Sequence, residues 1–508
     1  MSVGSVDSLL SEDDTISAVK GNRIGKKDFF FSSVATDSRN VKGGSLFVPL
    51  VGESQDGHKY IRSAVEKGAT VVFAVKDNCE KLSAEDKEYA EKNASIVFVK
   101  NTLYALQDAA AAYVRKFPNL IKIGITGSNG KTTTKEIAVA VLSQKYNVVA
   151  TEGNFNSETG LPLSVFNIRK EHEAGIFEMG MNRRNEIGEL ASVLCPSFGI
   201  ITNIGTAHIG ILGSKDNIAE EKKKIFSQFK DSSCVGFVPA SDEYASFLSD
   251  VPAGTVRRFG VGEQKNVTDV HFDGIEGTSF NYCGVPVKFP LPGEYNFSNM
   301  LAVVALAETL AVPAEAIRKG VESVKPLFGR SRVLRGRFTI VQDCYNANAE
   351  SMAESIKFYG ESGGKTGGAQ PAAGEKTGDT QFVGTQPAAG VACKKIFVLG
   401  DMLELGAASA EIHRKTGELA ASEKPYAIFF VGQEMVHAFN AARSYCEEHC
   451  IGTKVFSEPD TGDDAVQKVT EKVLELVSDG DLVLVKGSRG LRLERVASVL
   501  CEKAGVAV

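Results

Sequence analysis

The sequence predicts an α/β protein of three domains. Three observations lead there: a length that exceeds one core, repeated alternation of apolar strands with helical stretches, and a glycine-rich turn between a strand and a helix. At 508 residues the chain is too long for a single hydrophobic core. Apolar residues make up 43% and charged residues 24%, the balance of an ordinary globular protein. The formal net charge of −6 supplies no general attraction for nucleic acid or acidic membranes. Neither is expected as a partner, and any anionic ligand must be held locally. No run of about 18 apolar residues is present, and the first twenty residues lack the basic-then-apolar plan of a signal peptide. A cytoplasmic location is expected. The cysteines, nine in number and without framework spacing, fit reduced thiols. Cys446, His449 and Cys450 are followed by no second ligand pair and read as a helix surface rather than a metal site.

The elements fall into three stretches. Residues 1–101 carry short β-rich runs at 46–50, 70–74 and 96–99 around a helix-like stretch at 60–67, the pattern of a small α/β N-terminal module. Residues 102–328 begin with a helix near 103–116. Buried strands at 123–126, 174–178 and 198–202 follow, separated by helical segments, which argues for a mainly parallel sheet. Residues 329–508 repeat the alternation with runs at 338–341, 395–400, 427–432 and 481–487, so a second open, Rossmann-like α/β sheet is expected. Residues 361–392 belong to none of these. They are rich in Gly, Ala, Thr, Gln and Pro, and the run at 370–374 repeats at 386–390. Such a segment cannot bury enough apolar surface to offset its chain entropy and is expected to be a mobile insertion.

The strand at 123–126 runs into Gly127, Ser128, Asn129, Gly130, Lys131, Thr132 and Thr133 before a helix. Glycines let backbone N–H groups approach phosphate oxygens, and a helix N-terminus adds the positive end of its dipole. Lys131 can reach the outer phosphates and Thr132 can hold Mg²⁺, so a nucleoside triphosphate with magnesium is the expected ligand. The strict phosphate-loop pattern would put its first glycine at Ile125. The central domain is nonetheless expected to be P-loop ATPase-like. Glu178 ends a strand otherwise too apolar to welcome a carboxylate, and it reads as a metal ligand or a salt-bridged strand end. His208 follows the strand at 198–202, at the edge where open α/β sheets place ligands.

Further blocks accompany the cradle in a fixed order. They are residues 36–39, 44–48, Asp56-Gly57-His58, Gly153-Asn154-Phe155-Asn156, Glu178-Met179-Gly180, Ala207-His208, 293–299, 343–348 and Gly400-Asp401-Met402. On these blocks and the off-register cradle, essentially the whole chain resembles the Mur ligases of bacterial cell-wall synthesis. The pair 345–348 and 400–406 points to the dipeptide-adding branch. Tyr295 stands where the family usually has His, Ser157 where Asn is common, and the 361–392 insertion is not a family feature.

The resemblance implies an ATP-dependent amide ligase that works through an acyl phosphate. Its substrates would be UDP-N-acetylmuramoyl-tripeptide and D-alanyl-D-alanine, its cofactors ATP and Mg²⁺, and its state a monomer. It assigns ATP to the cradle together with Asn296, Arg330 and Asp343, with a helix cap alone as the alternative for Asn296. It assigns metal to Thr132, Glu178, His208 and a carbamylated lysine, Lys222, and catalysis to Lys131, Glu178, His208 and Lys222. The run Lys222-Lys223-Lys224 leaves a one-residue slip open. Ser38, Arg39 and His58 are expected to hold the uridine-diphosphate sugar. Thr151, Asn154 and Asn156 would hold the muramoyl or diphosphate part, and Asn346, Asn348 and Asp401 the dipeptide. Residues from two domains on one nucleotide imply closure around the reaction. Alternatives are the sister ligase that adds the third amino acid, a P-loop ATPase or kinase with another substrate, and a nonenzymatic nucleotide-binding scaffold.

Overall fold

The computed structural model describes residues 8–52, 55–361 and 393–506. The expected insertion at 361–392 lies, apart from Glu361, outside the described residues. Each sheet draws its strands from one stretch of chain. The first has five strands in the spatial order Asn22–Gly25, Ser95–Phe98, Ala69–Ala74, Ser45–Phe47 and Ser33–Ala35. Its edge strand Asn22–Gly25 is antiparallel and the others are parallel. The apolar run at 46–50 leaves the sheet after Phe47, earlier than its composition suggests, and Val51 bridges back to Asp56.

The central sheet has six parallel strands, in the order Thr255–Phe259, Val235–Pro239, Phe198–Ile201, Ile121–Thr126, Ala174–Glu178 and Val148–Ala150. Ile121–Thr126 comes first in sequence yet sits in the middle. Chain order therefore reverses beside it, and the carboxyl edge there opens into a crevice. Both faces are covered, which explains its unbroken apolar strands. Ile123, Ile125 and Ile176 pack against helices Lys131–Leu142 and Glu294–Thr309, whereas Phe177 and Ile201 face helix Glu186–Leu194. Helix Thr102–Arg115 buries Leu106, Ala109, Ala110 and Val114 in a core shared with Phe31, Leu46 and Phe73 of the first sheet. That helix cements the first two sheets together.

Two features differ from the sequence reading. Val267–Phe272, Thr278–Tyr282 and Val285–Phe289 form a separate antiparallel sheet. Their half-exposed alternation gives little apolar signal. Helix Glu294–Thr309 begins two residues before Asn296, so Asn296 lies inside its first turn rather than at its cap. Gly293, at φ +92°, makes the sharp entry.

The last sheet has six strands, ordered Arg332–Arg335, Thr339–Asp343, Leu482–Lys486, Lys395–Gly400, Ala427–Val431 and Lys454–Glu458. Only the first is antiparallel. Alternation along Leu482–Lys486 sends Val483 and Val485 to one core and Leu482 and Leu484 to the other. No helix among the described residues is long and apolar enough to cross a membrane.

Candidate active site

The cradle is built where strand Ile121–Thr126 turns into helix Lys131–Leu142. Gly127 has φ +150°, and a Cβ there would lie 1.8 Å from Thr202 Oγ1. Gly130 has φ +79°, with Asn299 Oδ1 2.6 Å from the position of a Cβ. Glycine is required at both by backbone shape and by space. Ser128 N–H donates to Asn203 O and Asn129 N–H to Asn203 Oδ1, each at 3.0 Å, while Ser128 Oγ accepts from Gly205 N–H at 2.8 Å. No side chain caps the helix beginning at Lys131, so its first amides remain available to an anion. Lys131 Nζ donates to Gly127 O at 2.8 Å, folded back over the turn. Burial pushes its pKa below the usual lysine range against the opposing pull of Glu178.

Beside it, Glu178 at the end of its strand is 2% exposed. One carboxylate oxygen accepts from Thr132 Oγ1 at 2.8 Å and the other from Asn156 Nδ2 at 2.7 Å. Thr151 sits behind, accepting from Glu178 N–H through Oγ1 and from Lys135 Nζ through its carbonyl. Its hydroxyl thus orients the carboxylate strand rather than reaching into the cleft. His208, at φ +65°, opens the helix Ile209–Leu212. Burial, reinforced by Lys131 and Lys222, depresses its pKa to about 4, so its ring is neutral at pH 7. Glu404 Oε2 lies 3.2 Å from His208 Nδ1 but off the line of a hydrogen bond.

The lysine run divides cleanly. Lys222 is 1% exposed, and its Nζ makes no hydrogen bond among the described residues. Burial, and then the neighbouring Lys131 charge, hold its pKa well below the usual lysine range. Lys223 Nζ lies 4.2 Å from the Phe247 ring centroid, and Lys224 is paired with Glu221 at 2.7 Å.

The donor set suits magnesium. Among the described residues no group of three or more His, Cys, Asp or Glu side chains gathers into a metal nest. Mg²⁺ is commonly held by one or two carboxylates plus substrate phosphates and water, and Glu178 hydrogen-bonded to Thr132 beside the cradle fits that pattern. Burial shifts the Lys222 amine toward its uncharged form, the form that can take up CO₂ and become an anionic oxygen ligand.

The cleft over the cradle has a volume of about 610 Å³, and its far wall comes from the C-terminal sheet. Arg330 Nη2 donates to Thr132 Oγ1 at 2.9 Å, and Asn348 Nδ2 donates to Asn129 Oδ1 at 2.7 Å. Glu350 accepts from both Thr206 N–H at 2.7 Å and Thr206 Oγ1 at 3.0 Å. Asp343 accepts from Ser331 N–H, Ser355 Oγ and Lys486 Nζ. Tyr295, Asn296, Asn346 and Thr133 also line the cleft.

Several expected site residues are engaged elsewhere. Asn296 Nδ2 donates to Pro292 O at 2.7 Å, so part of its side chain closes its own turn. Ser38, Arg39 and His58 lie away from the cleft lining. Arg39 is exposed and donates to both carboxylate oxygens of Asp37, whose carboxyl it pulls down to about 2. His58 is 1% exposed. Its Nε2 accepts from Val75 N–H and its Nδ1 meets Asp56, which leaves no ring nitrogen for a ligand. Asp401 is buried and accepts from Met435 N–H at 2.8 Å, at the start of helix Met435–Glu448, away from the cleft lining. Asn154 is exposed on the turn ahead of Asn156. Lys486, Glu350, Thr206 and Asn203 escaped the sequence reading. Their only signal was position just after apolar strands or at a helix start.

Comparison with known proteins decides the family. Residues 125–307 match the Mur ligase middle domain, and residues 31–114 match the Mur ligase family, catalytic domain. The UDP-N-acetylmuramoyl-tripeptide–D-alanyl-D-alanine ligase of Treponema pallidum (strain Nichols) is 42% identical over 97% of this chain and 99% of its own. The chain belongs to the Mur ligase family. A Mur ligase of the same printed name from Bacillus subtilis (strain 168) is 32% identical over 92% of this chain and 93% of its own. Among solved structures, MurF from Acinetobacter baumannii superposes with a TM-score of 0.79 at 26% identity, covering 98% of this chain and all of that one. The MurF ligase from Thermotoga maritima, solved in complex with ADP, gives a TM-score of 0.72 at 26% identity over 93% of this chain and 98% of that one. The three-domain α/β architecture is that of these Mur ligases.

Proposed function

We propose that this Mur ligase joins D-alanyl-D-alanine to the terminal carboxylate of UDP-N-acetylmuramoyl-tripeptide at the expense of ATP, in peptidoglycan precursor synthesis. The observation that carries the reading is full-length similarity to ligases of that name, combined with a cleft in which Arg330 and Lys131 flank Thr132 and Glu178. The reading includes action as a monomer in the cytoplasm. Residues 1–101 would receive the uridine-diphosphate sugar, 102–328 ATP, and 329–508 the dipeptide.

The reaction asks an anionic carboxylate to attack polyanionic ATP, so positive charge and positioning matter most. The uncapped amides after Gly130 receive the phosphates. Lys131 swings from Gly127 O to the transferred phosphoryl group, and Arg330 supports the same charge from the opposite wall. Asn296 would meet the base, Asp343 the ribose, and Asn154 and Asn156 the muramoyl or diphosphate part. Thr132, Glu178, His208 and carbamylated Lys222 would hold magnesium, which when bound would neutralise charge on the phosphate oxygens. The tripeptide carboxylate attacks the γ-phosphorus and ADP leaves. The dipeptide amine then adds to the acyl carbon, and the tetrahedral intermediate expels phosphate. Contacts from the C-terminal wall exclude the water that would hydrolyse the acyl phosphate.

Phosphate release measured with a panel of UDP-muramoyl peptides and amino-acid or dipeptide acceptors tests this. Turnover is expected only with ATP, a tripeptide substrate and D-alanyl-D-alanine together. Turnover with a UDP-muramoyl dipeptide and a free amino acid would instead assign the sister reaction.

A further inference from the structure

The proposed acceptor is a dipeptide whose amine reacts and whose far carboxylate needs a cation that phosphate does not occupy. The cations inside the cleft are committed. Lys131 belongs to the cradle, Arg330 donates to Thr132, and Lys486, 2% exposed, is paired with Asp343 at 2.7 Å. Asn348 and Asp401 are likewise bonded within the protein.

Arg489 differs. It lies outside the cleft lining, in the loop just past strand Leu482–Lys486, and borders the cleft through Tyr345, which does line it. Its guanidinium carbon is 5.8 Å from the Tyr345 ring centroid, and that of Arg330 is 4.2 Å from the same centroid. The two cations are thus separated by no more than those distances combined, and an extended dipeptide spans roughly 7 Å at about 3.5 Å per residue. The Arg489 side chain is 57% exposed, and its charged partner is Glu494 at 3.2 Å. Its remaining N–H groups have no protein acceptor among the described residues. The adjoining Ser488 holds the loop in place, accepting from Leu403 N–H at 3.0 Å and donating to Ala347 O at 3.4 Å.

We infer that Arg489 binds the carboxylate of the acceptor dipeptide, with the Tyr345 ring as the platform between that end and the reacting amine. The inference rests on the function proposed above. A planar guanidinium suits a carboxylate because it offers paired donors, and a partly hydrated site leaves room for the ligand to displace Glu494.

The test compares D-alanyl-D-alanine with D-alanyl-D-alaninamide, which lacks the charge, as acceptors for the wild type, Arg489→Met and Arg489→Lys. The wild type is expected to prefer the acid by about 10- to 100-fold in kcat/KM, the range for a hydrogen bond to a charged group. Arg489→Met should lose that preference through the acid alone, with KM for ATP and the melting temperature unchanged. Arg489→Lys should retain part of it. An Arg489→Met enzyme that still prefers the acid as the wild type does would overturn the inference while leaving the ligase reading intact. A wild type that couples neither acceptor would overturn the ligase reading itself.

Discussion

Lys131 and Lys222 are both lysines whose pKa the protein lowers, and they answer differently to removal. Lys131→Ala deletes a charge that can follow the transferred phosphoryl group, and with it the Nζ hydrogen bonds to the Gly127 and Ser128 carbonyls. Turnover should fall by ~10²-fold or more, as for other transition-state charge contacts, with little change in melting temperature. Residual turnover above about a tenth of wild type would remove Lys131 from the phosphate site. Lys222→Ala should also lose most activity, but formate or acetate should restore part of it by occupying the position of the carbamate. Lys223→Ala and Lys224→Ala should show neither loss nor rescue, because one side chain stacks on Phe247 and the other pairs with Glu221. A ¹³CO₂ NMR signal lost only in Lys222→Ala would check the carbamate directly. Rescue appearing at Lys223 or Lys224 would move the ligand by one residue.

At the scale of elements, the strand-to-helix cradle was legible because its chemistry is local: glycines, a lysine and two hydroxyls lie within one turn. Asp401 and His58 were not legible as structural residues, because the amides they bind belong to Met435 and Val75, elsewhere in the chain. Asn296 was misplaced by the same blindness, since its helix starts on Gly293 rather than on a capping side chain. The antiparallel strands between 267 and 289 were missed because half their residues face water and carry no apolar run. His413 shows what such hidden contacts do. It is fully buried in helix Ser409–Ser422. Its Nε2 accepts from Met402 N–H at 3.1 Å, and its Nδ1 meets Ser409 O at 2.8 Å. Burial lowers its pKa, with the Ser409 carbonyl pulling the other way. The unfolded chain therefore binds the extra proton first, and stability is complete above pH about 6.5 and lost as pH falls through the lower folded value. His413→Gln should cost about 1–3 kcal/mol at pH 8, the range for an unsatisfied buried group. The gap to wild type should narrow at pH 5. Parallel melting curves at every pH would refute a role for His413 protonation.

For the whole molecule, the decisive feature is that the C-terminal sheet touches the cradle domain through polar contacts at the cleft: Arg330 to Thr132, Asn348 to Asn129, and Glu350 to Thr206. Arg330 and Asn348 sit where nucleotide and dipeptide are proposed to bind, so their loss would mix chemistry with domain geometry. Glu350 touches Thr206 through both carboxylate oxygens, one on the backbone amide and one on the hydroxyl, and so grips the loop that carries His208. A two-point carboxylate contact of this kind contributes about 1.5–3 kcal/mol to the joined arrangement, a shift of roughly 10- to 100-fold in its population. Glu350→Ala should therefore raise KM for ATP and for the dipeptide by a similar factor, since both ligands must first restore the joined state. Saturating substrate should return kcat to within about threefold of wild type, because binding then supplies the closure free energy. Small-angle scattering should show a larger radius of gyration for ligand-free Glu350→Ala than for wild type, and the difference should vanish with an ATP analogue bound. Equal radii in the free state, or a kcat loss that saturation does not repair, would mean that Glu350 serves the site itself rather than the meeting of the domains.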